Sequence, residues 1–426
     1  MSTSHPARDA APDTTVTLGF VGCGGRAGDG LLPLCLGMSD VRVPAVCDIH
    51  PPNLEKAAQA VRESGRPEPD TYADYRDLLA REDIEAVIIG TSWREHIPIS
   101  IAAMKAGKYA APEVGGATSL EECWQLVRAS EDTGIPCMLL ENYCYLREWM
   151  AVVNMVRQGI FGELVHCQGA YQHDLRGRIV QGKGTGPHPV GEGDYRSVEN
   201  RFRNGDLYPT HSIGPVAQCL DINKGNRLLT LTSTASKARG LRQWTRDNLG
   251  SDHPAAGIDW TQGDIVTSVI KCQNGETIVL NHDVTLPRPM TDMGRVQGTK
   301  GIWMSEMNSI HVDGRSPEHK WESFDPYRDE YEHPLWTRYR DFGVKEGHHG
   351  SDYLLLRDMV ESVKRRIQPP IDVYDSATFM AITPLSEESV ACGSAPVSFP
   401  DFTGGRWMTT PPAFGTEERL AMFNFL

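Results

Sequence analysis

A glycine turn set between two short apolar runs constrains this chain more than any other stretch. Val16–Val21 leads into Gly22-Cys23-Gly24-Gly25-Arg26-Ala27, a G-x-G-x-x-A pattern. A helix-compatible segment follows, then a second apolar run, Val41–Cys47, which ends in Asp48. The order is strand, glycine turn, helix, strand, acid. Each part has a physical job in a dinucleotide site. Gly22 permits the tight turn, Gly24 and Gly25 let backbone approach a pyrophosphate, and Ala27 allows close helix–strand packing. Arg26 stands at the helix N-terminus, where the dipole attracts phosphates. Asp48 stands 26 residues after Gly22, where a carboxylate accepts from an adenosine ribose hydroxyl and repels a 2′-phosphate. NAD is therefore expected rather than NADP. In a chain with 41 glycines the pattern alone is weak, and the flanking strands and terminal acid give it meaning.

With 426 residues the chain can hold two or three full cores. Its net charge of -14 disfavours nucleic acid and anionic membrane surfaces. No apolar run approaches the ~20 residues of a membrane helix, so no membrane association is expected. The first residues lack a basic segment followed by an apolar one, so they read as a disordered lead-in rather than a secretory signal. The ten cysteines form no C-x-x-C pair, and most lie inside apolar runs as buried thiols do. A cytoplasmic location is the simplest expectation.

After Asp48 the alternation of helix and strand patterns continues. Helices are expected over 52–63, 75–81, 96–106 and 120–133. Strands are expected over 84–90, 108–113 and 136–140. A further helix is expected to run to about residue 158. From residue 164 the runs become β-rich, at 164–171, 228–236, 264–272, 277–284 and 295–303, with Asn274-Gly275 marking a hairpin. A glycine-rich span, 177–205, reads as an active-site loop. A late helix is expected over 351–366, and 395–407 with the following tail reads as irregular. The fold class is an α/β Rossmann domain plus an α+β domain with an open, mainly antiparallel sheet. The expected division is lead-in 1–14, NAD-binding domain 15–145, substrate and oligomerisation domain 146–395, and tail 396–426. An open sheet with one face on the cleft leaves another face, expected to be apolar and to pair with a second copy as a dimer or tetramer.

Several residues stand where chemistry is expected. Glu113 and Glu141 each end a buried strand, and such ends line the cleft of a doubly wound sheet. Glu113 would lie near the nicotinamide or, alternatively, cap a helix. Glu141 would be either a buried acid of the site or a surface loop acid. Tyr171 and His173 share one face of a strand, which is either the cleft or an ordinary sheet face. A phenol acts as a base only beside positive charge. Tyr208 and His211 lie in a Tyr-Pro-Thr-His segment that opens a helix, a setting that favours a neutral imidazole. His348-His349 has no third ligand at recognisable spacing, so no metal is expected.

These pieces, in order, resemble the Gfo/Idh/MocA oxidoreductase superfamily and, within it, the NAD-dependent α-N-acetylgalactosaminidases of glycoside hydrolase family 109. The matching segments are GCGGRA at 22–27, AVCDIHPPNLEKA at 45–57, PEVGGAT at 112–118, LENYCY at 140–145, MVRQGIFGELVH at 155–166, GAYQHDLR at 169–176, RNGDLYPTHSIGPVAQ at 203–218 and PDFTGGRW at 400–407. Ordinary superfamily members carry a lysine after the acid that is Glu113 here, and this chain has Val114. They also carry Asp four residues before the histidine, where this chain has Leu207. Both absences resemble the hydrolase branch. Gly115-Gly116 and Ser212-Ile213 depart from that branch's usual Pro-Ala and Gly-Leu.

The resemblance implies tightly bound NAD, a glycoside substrate and redox-neutral cleavage. C3 is oxidised, the C2 proton is removed, the C1 aglycone leaves, water adds and C3 is reduced again. It implies Tyr171 as the C2 base, His211 and Tyr208 at the C3 hydroxyl, and Glu141 in support. Gly22, Gly24, Gly25, Arg26, Ala27, Asp48, Glu113 and His173 would bind the cofactor. Two other readings stay open: a net sugar or cyclitol dehydrogenase, and a non-catalytic NAD-binding regulator. Cofactor behaviour separates them, because a dehydrogenase consumes NAD, a hydrolase recycles it and a regulator only binds it.

Overall fold

The structure is a computed structural model and describes residues 15–182, 194–342 and 347–423. The expected lead-in and the middle of the glycine-rich span, 183–193, lie outside the described residues.

Five parallel strands form the first sheet: β1 (Val16–Val21), β2 (Val41–Cys47), β3 (Asp70–Tyr72), β4 (Ala86–Ile89) and β5 (Tyr109–Pro112). Their order is β3-β2-β1-β4-β5. Every residue of β4 and β5 is buried, which is why these segments read as unbroken apolar runs rather than alternating ones. Helices Pro51–Glu63, Trp93–Lys105 and Leu120–Thr133 connect the strands and cover the sheet. The last starts where Ser119 accepts the Glu122 N–H and closes at Gly134, φ 68°. The chain moves outward in opposite directions from β1, so the crevice at its carboxyl end is a topological switch point.

The expected strand at 136–140 does not form in full. It runs beside β5 through the bonds Met138 N–H to Ala110 O and Leu140 N–H to Pro112 O, both 2.9 Å, with a single bridge at Cys137. Pro136, with no N–H to donate, weakens its start.

The second sheet has nine strands. They are β6 (Leu164–Gln172), β7 (Leu228–Ala235), β8 (Ile265–Cys272), β9 (Thr277–Asp283), β10 (Arg295–Gly298), β11 (Gly301–Met304), β12 (Ser309–Val312), β13 (Glu322–Ser323) and β14 (Val397–Ser398). Their order is β13-β12-β11-β10-β6-β9-β8-β7-β14. All pairings are antiparallel except β6–β9. The run 295–303 was expected as one strand and is instead a hairpin, turning at Thr299-Lys300 between two glycines. The stretch expected to be irregular contributes β14. The glycine-rich span is flanked by two helices, Arg176–Gln181 and Tyr195–Phe202, and is not loop at its ends.

One face of this sheet is buried, through residues such as Cys167, Tyr171, Ile270, Leu280 and His282. The other face is mixed rather than apolar throughout. It carries Thr230, Thr232, Thr234, Thr267, Lys271, Thr277 and Asn281, with Ile265 and Val269 36% and 46% exposed among them and Val279 opposite Val269. An antiparallel sheet can leave one face to water, and hydroxyl and amide side chains suit that position.

Helix Val373–Ala391 has no counterpart in the sequence reading. It is buried almost all round, so it has no polar stripe to betray a helical period. It starts in a capping box of Asp372 and Asp375. It then passes between the two halves, with Ser376 Oγ accepting from Leu139 N–H and Ser389 Oγ from Ser233 N–H. Buried Arg357 makes a bidentate pair with Asp40 (2.8 and 2.8 Å), and Arg419 near the C-terminus pairs with Asp358. The first pair fastens helix Ser351–Arg365 onto the first half, and the second joins that helix to Glu417–Met422.

Candidate active site

The carboxyl ends of β1, β2 and β5 converge on one crevice. Gly22 turns the chain at φ 82°, and a Cβ there would lie 2.7 Å from the Gly90 carbonyl carbon. Ala27 packs against Gly90 just past β4, where a Cβ on Gly90 would lie 2.5 Å from Ala27 Cβ. Asp48 Oδ2 accepts the Cys23 N–H (2.7 Å) and Oδ1 the His50 N–H (2.7 Å), so this acid pins the glycine turn from the next strand. Gly24 and Gly25 donate no backbone hydrogen bond among the described residues. A turn with spare N–H donors opening a helix fits the pyrophosphate of a dinucleotide.

Arg26 does not point to solvent. Its Nε donates to Glu113 (2.9 Å), and its two terminal nitrogens grip Asp352 (2.8 and 2.9 Å). Glu113 is buried, and burial raises its carboxyl pKa against the pull of Arg26. For Asp352 burial pushes the same way but loses. The bonds from Arg26 and His348 hold it well below the usual carboxylate range. Asp352 also accepts from Asn142 Nδ2 (2.8 Å), while Asn142 Oδ1 is buried with no partner among the described residues. An amide fixed at one end and free at the other suits a ligand with donors, as a nicotinamide ribose is.

The second half of the site is aromatic. Tyr208 and Tyr171 rings lie 4.5 Å apart, and His211 is 5.1 and 5.4 Å from them. His211 stacks on Tyr143 at 3.8 Å, nearly parallel. Its Nδ1 bonds to Glu141 Oε1 at 2.7 Å, and the same oxygen accepts the Tyr143 N–H. A carboxylate oxygen accepts, so Nδ1 is the donor in this bond, and in the neutral ring Nε2 is left as the acceptor. Glu141 is completely buried, and its Oε2 has no partner among the described residues. It is not the surface acid of the alternative reading. The approach is close because residue 214 is glycine: a Cβ there would lie 2.6 Å from Glu141 Cγ.

Sequence reasoning missed a cation here. Arg196, from the helix beside the glycine-rich span, is buried. It lies over the rings of Trp93 (4.5 Å) and Tyr208 (4.9 Å). Among the described residues no carboxylate pairs with it, and its Nε is unpartnered. Burial raises the Tyr171 phenol, while Arg196 and Arg178 pull it down. His282, opposite Tyr171 in register, is pushed down to about 3 by burial and by Arg196, so it is neutral. His173 stands just past β6 with its ring edge-on to Tyr171 at 6.4 Å, half-exposed. The two glycines at 115 and 116 also have a reason. A Cβ at 115 would lie 2.5 Å from the Trp93 indole, and one at 116 would lie 2.0 Å from Thr383 Oγ1. His348 turns to Asp352 (2.7 Å), and among the described residues no group of three His, Cys, Asp or Glu side chains gathers as metal ligands.

A Rossmann sheet whose crevice is closed by an open antiparallel sheet defines an NAD-binding oxidoreductase scaffold. Residues 16–140 match the oxidoreductase family with NAD-binding Rossmann fold, Gfo/Idh/MocA. Solved structures agree on the fold. Levoglucosan dehydrogenase in complex with NADH aligns with a TM-score of 0.65 at 17% identity, over 91% of this chain and all of that one. An NAD-binding oxidoreductase from Klebsiella pneumoniae gives 0.67 at 16%, with the same coverage. Residues 145–409 match the glycosyl hydrolase 109 C-terminal domain. A glycosyl hydrolase family 109 protein of Stenotrophomonas maltophilia is 45% identical over 94% of this chain and 91% of its own length. An α-N-acetylgalactosaminidase of Tannerella forsythia is 42% identical over 94% and 89%. The chain belongs to glycosyl hydrolase family 109.

Proposed function

We propose that the protein is an NAD-dependent glycosidase acting on an N-acetylated hexoside, with an α-N-acetylgalactosaminide as the first substrate to test. The observation that carries this reading is the packing of Tyr171, Tyr208 and His211 into one cluster, with Glu141 bonded behind the histidine. That set suits proton removal beside a carbonyl better than direct displacement by paired carboxylates. Family membership and the name of the Tannerella relative support the substrate class.

When bound, NAD supplies a positively charged hydride acceptor that takes hydride from C3 and returns it. His211 Nε2, with its lone pair, takes or holds the C3 hydroxyl proton, and Glu141 steadies the imidazolium that results. Tyr208 hydrogen-bonds the same hydroxyl. Tyr171 removes the C2 proton that the new ketone acidifies, helped by the positive charge of Arg196 and Arg178. Arg196, a buried cation with no ion-paired carboxylate among the described residues, offers its donors to sugar oxygens. Asp48, the glycine turn, Arg26, Glu113, Asn142 and His173 hold the dinucleotide.

The cofactor stays bound through each cycle in this reading. Self-association through the second sheet and a cytoplasmic location belong to the same proposal, the latter resting on the reduced, mostly buried cysteines. No helix among the described residues is long and apolar enough to cross a membrane. The test is a panel of p-nitrophenyl glycosides without added NAD. Release of nitrophenol from an N-acetylgalactosaminide is expected. Sugar-dependent accumulation of NADH with no nitrophenol would overturn the glycosidase reading in favour of a dehydrogenase.

A further inference from the structure

Just before helix Ser351–Arg365 the backbone takes four successive positive φ angles. They are Gly347 at 103°, His348 at 39°, His349 at 58° and Gly350 at 95°. Two of the four are histidines, in a region that residues with a Cβ avoid. Such strain persists only where surrounding contacts hold it. Here Ser351 Oγ donates to His348 O (2.9 Å), Gly350 N–H to Gly347 O (2.8 Å), and His348 Nδ1 bonds to Asp352 Oδ2 (2.7 Å). The turn rests on the helix that follows the glycine turn, because a Cβ on Gly347 would lie 3.1 Å from Leu34 Cδ1.

Asp352 is the hub of these contacts. Its two oxygens accept from Arg26 of the glycine turn (2.8 and 2.9 Å), from Asn142 after the Rossmann strands (2.8 Å) and from His348. One carboxylate, 1% exposed, thus joins three chain segments that border the crevice. Arg26 relays the tie to Glu113. None of these bonds belongs to a sheet ladder, and together they tie the turn before the late helix to the glycine turn and to Asn142.

We propose that Asp352 and the strained turn Gly347–Gly350 form a latch that retains the dinucleotide. Asp352 acts as a positioning residue, setting Arg26 and Asn142 and fastening the strained turn to Arg26 of the glycine turn. The inference rests on the NAD-dependent reading and adds the means by which a redox-neutral enzyme keeps its cofactor between half-reactions. Release then requires the Asp352 contacts to break.

The experiment loads the full-length protein with NADH and removes the excess. Escape is then followed by loss of NADH fluorescence, with lactate dehydrogenase and pyruvate consuming every released molecule. Asp352→Asn is expected to release NADH at least tenfold faster. His348→Ala, which alters a half-exposed side chain and leaves the Arg26–Asp352 pair in place, is expected to release it several-fold faster. Glycoside cleavage by Asp352→Asn should decline on dilution and recover when NAD is added. If Asp352→Asn does not fold, His348→Ala decides. Release from both variants at the wild-type rate or slower overturns the latch while leaving the NAD reading intact. A wild type that binds no NADH overturns the NAD reading itself and the latch with it.

Discussion

Asp206 lies two residues before Tyr208, with no exposed surface. Its Oδ1 accepts the Tyr208 N–H at 3.2 Å, and its Oδ2 has no partner among the described residues. Arg203, three residues earlier, bonds to Glu199 and Glu387. Burial pushes the Asp206 carboxyl up to about 7, against a small downward pull from the Tyr208 N–H. The folded protein therefore keeps a proton that the unfolded chain gives up near pH 3.8. Stability from this group is fully present below pH ~4, falls as pH rises and is lost once pH passes about 7. The separation of about three pH units, at ~1.4 kcal/mol each, amounts to about 4 kcal/mol. Roughly 2 kcal/mol of that falls between pH 5.5 and 7. Asp206→Asn keeps the shape and the Oδ1 acceptor but has no proton to lose. Urea midpoints of wild type and variant, measured from pH 5.5 to 8.5, should move in the variant's favour by about that amount. A gap that stays constant with pH would mean that Asp206 is ionised in the folded protein, and the reasoning would fall.

Tyr171→Phe should abolish deuterium incorporation at C2 of the released sugar when turnover runs in deuterium oxide, with bound NADH fluorescence unchanged. Retained activity would mean that another group is the base. Glu141→Gln should lower kcat by about 10²–10³-fold with little change in NAD affinity, because His211 loses its charged partner. A change in NAD affinity alone would place Glu141 with the cofactor instead. Asp48→Ala should weaken NAD binding by about 1–3 kcal/mol, since it removes the acceptor that pins the Cys23 N–H and that, in the proposed site, would accept from the ribose. Titration calorimetry checks this, and a wild type that prefers NADP would refute the assignment.

The Rossmann half was legible because parallel strands buried on both faces must be apolar throughout, and caps such as Ser119 and Gly134 mark helix ends. β3 escaped because Asp70, Thr71 and Tyr72 form a three-residue edge strand with no apolar core position. The β10–β11 hairpin escaped because its turn, Thr299-Lys300, carries none of the usual turn residues and the flanking glycines read as strand interruptions. Helix Val373–Ala391 escaped for the opposite reason to β3: burial on every side erases periodicity, and Pro384 reads as a breaker. The outward sheet face is only partly apolar, because an open sheet can leave hydroxyl and amide side chains to water on one side.

Within the site, the residues found from sequence are those that topology delivers. A residue at the carboxyl end of a strand reaches the cleft whatever its neighbours do, so Asp48, Glu113 and Glu141 could be named from position alone. Which residues they pair with could not. His211 lies 70 residues from Glu141, and Asp352 lies 326 from Arg26, and no spacing rule links such distances. Arg196 is the sharpest case. The chain carries 56 acidic residues, and a sequence offers no way to tell which arginine is buried without one of them. A guanidinium buried among Trp93, Tyr195 and Tyr208, with no carboxylate in an ion pair with it among the described residues, costs free energy. The cost is offset when a ligand brings acceptors to it, and it marks the side of the crevice where sugar oxygens belong in the proposed reaction.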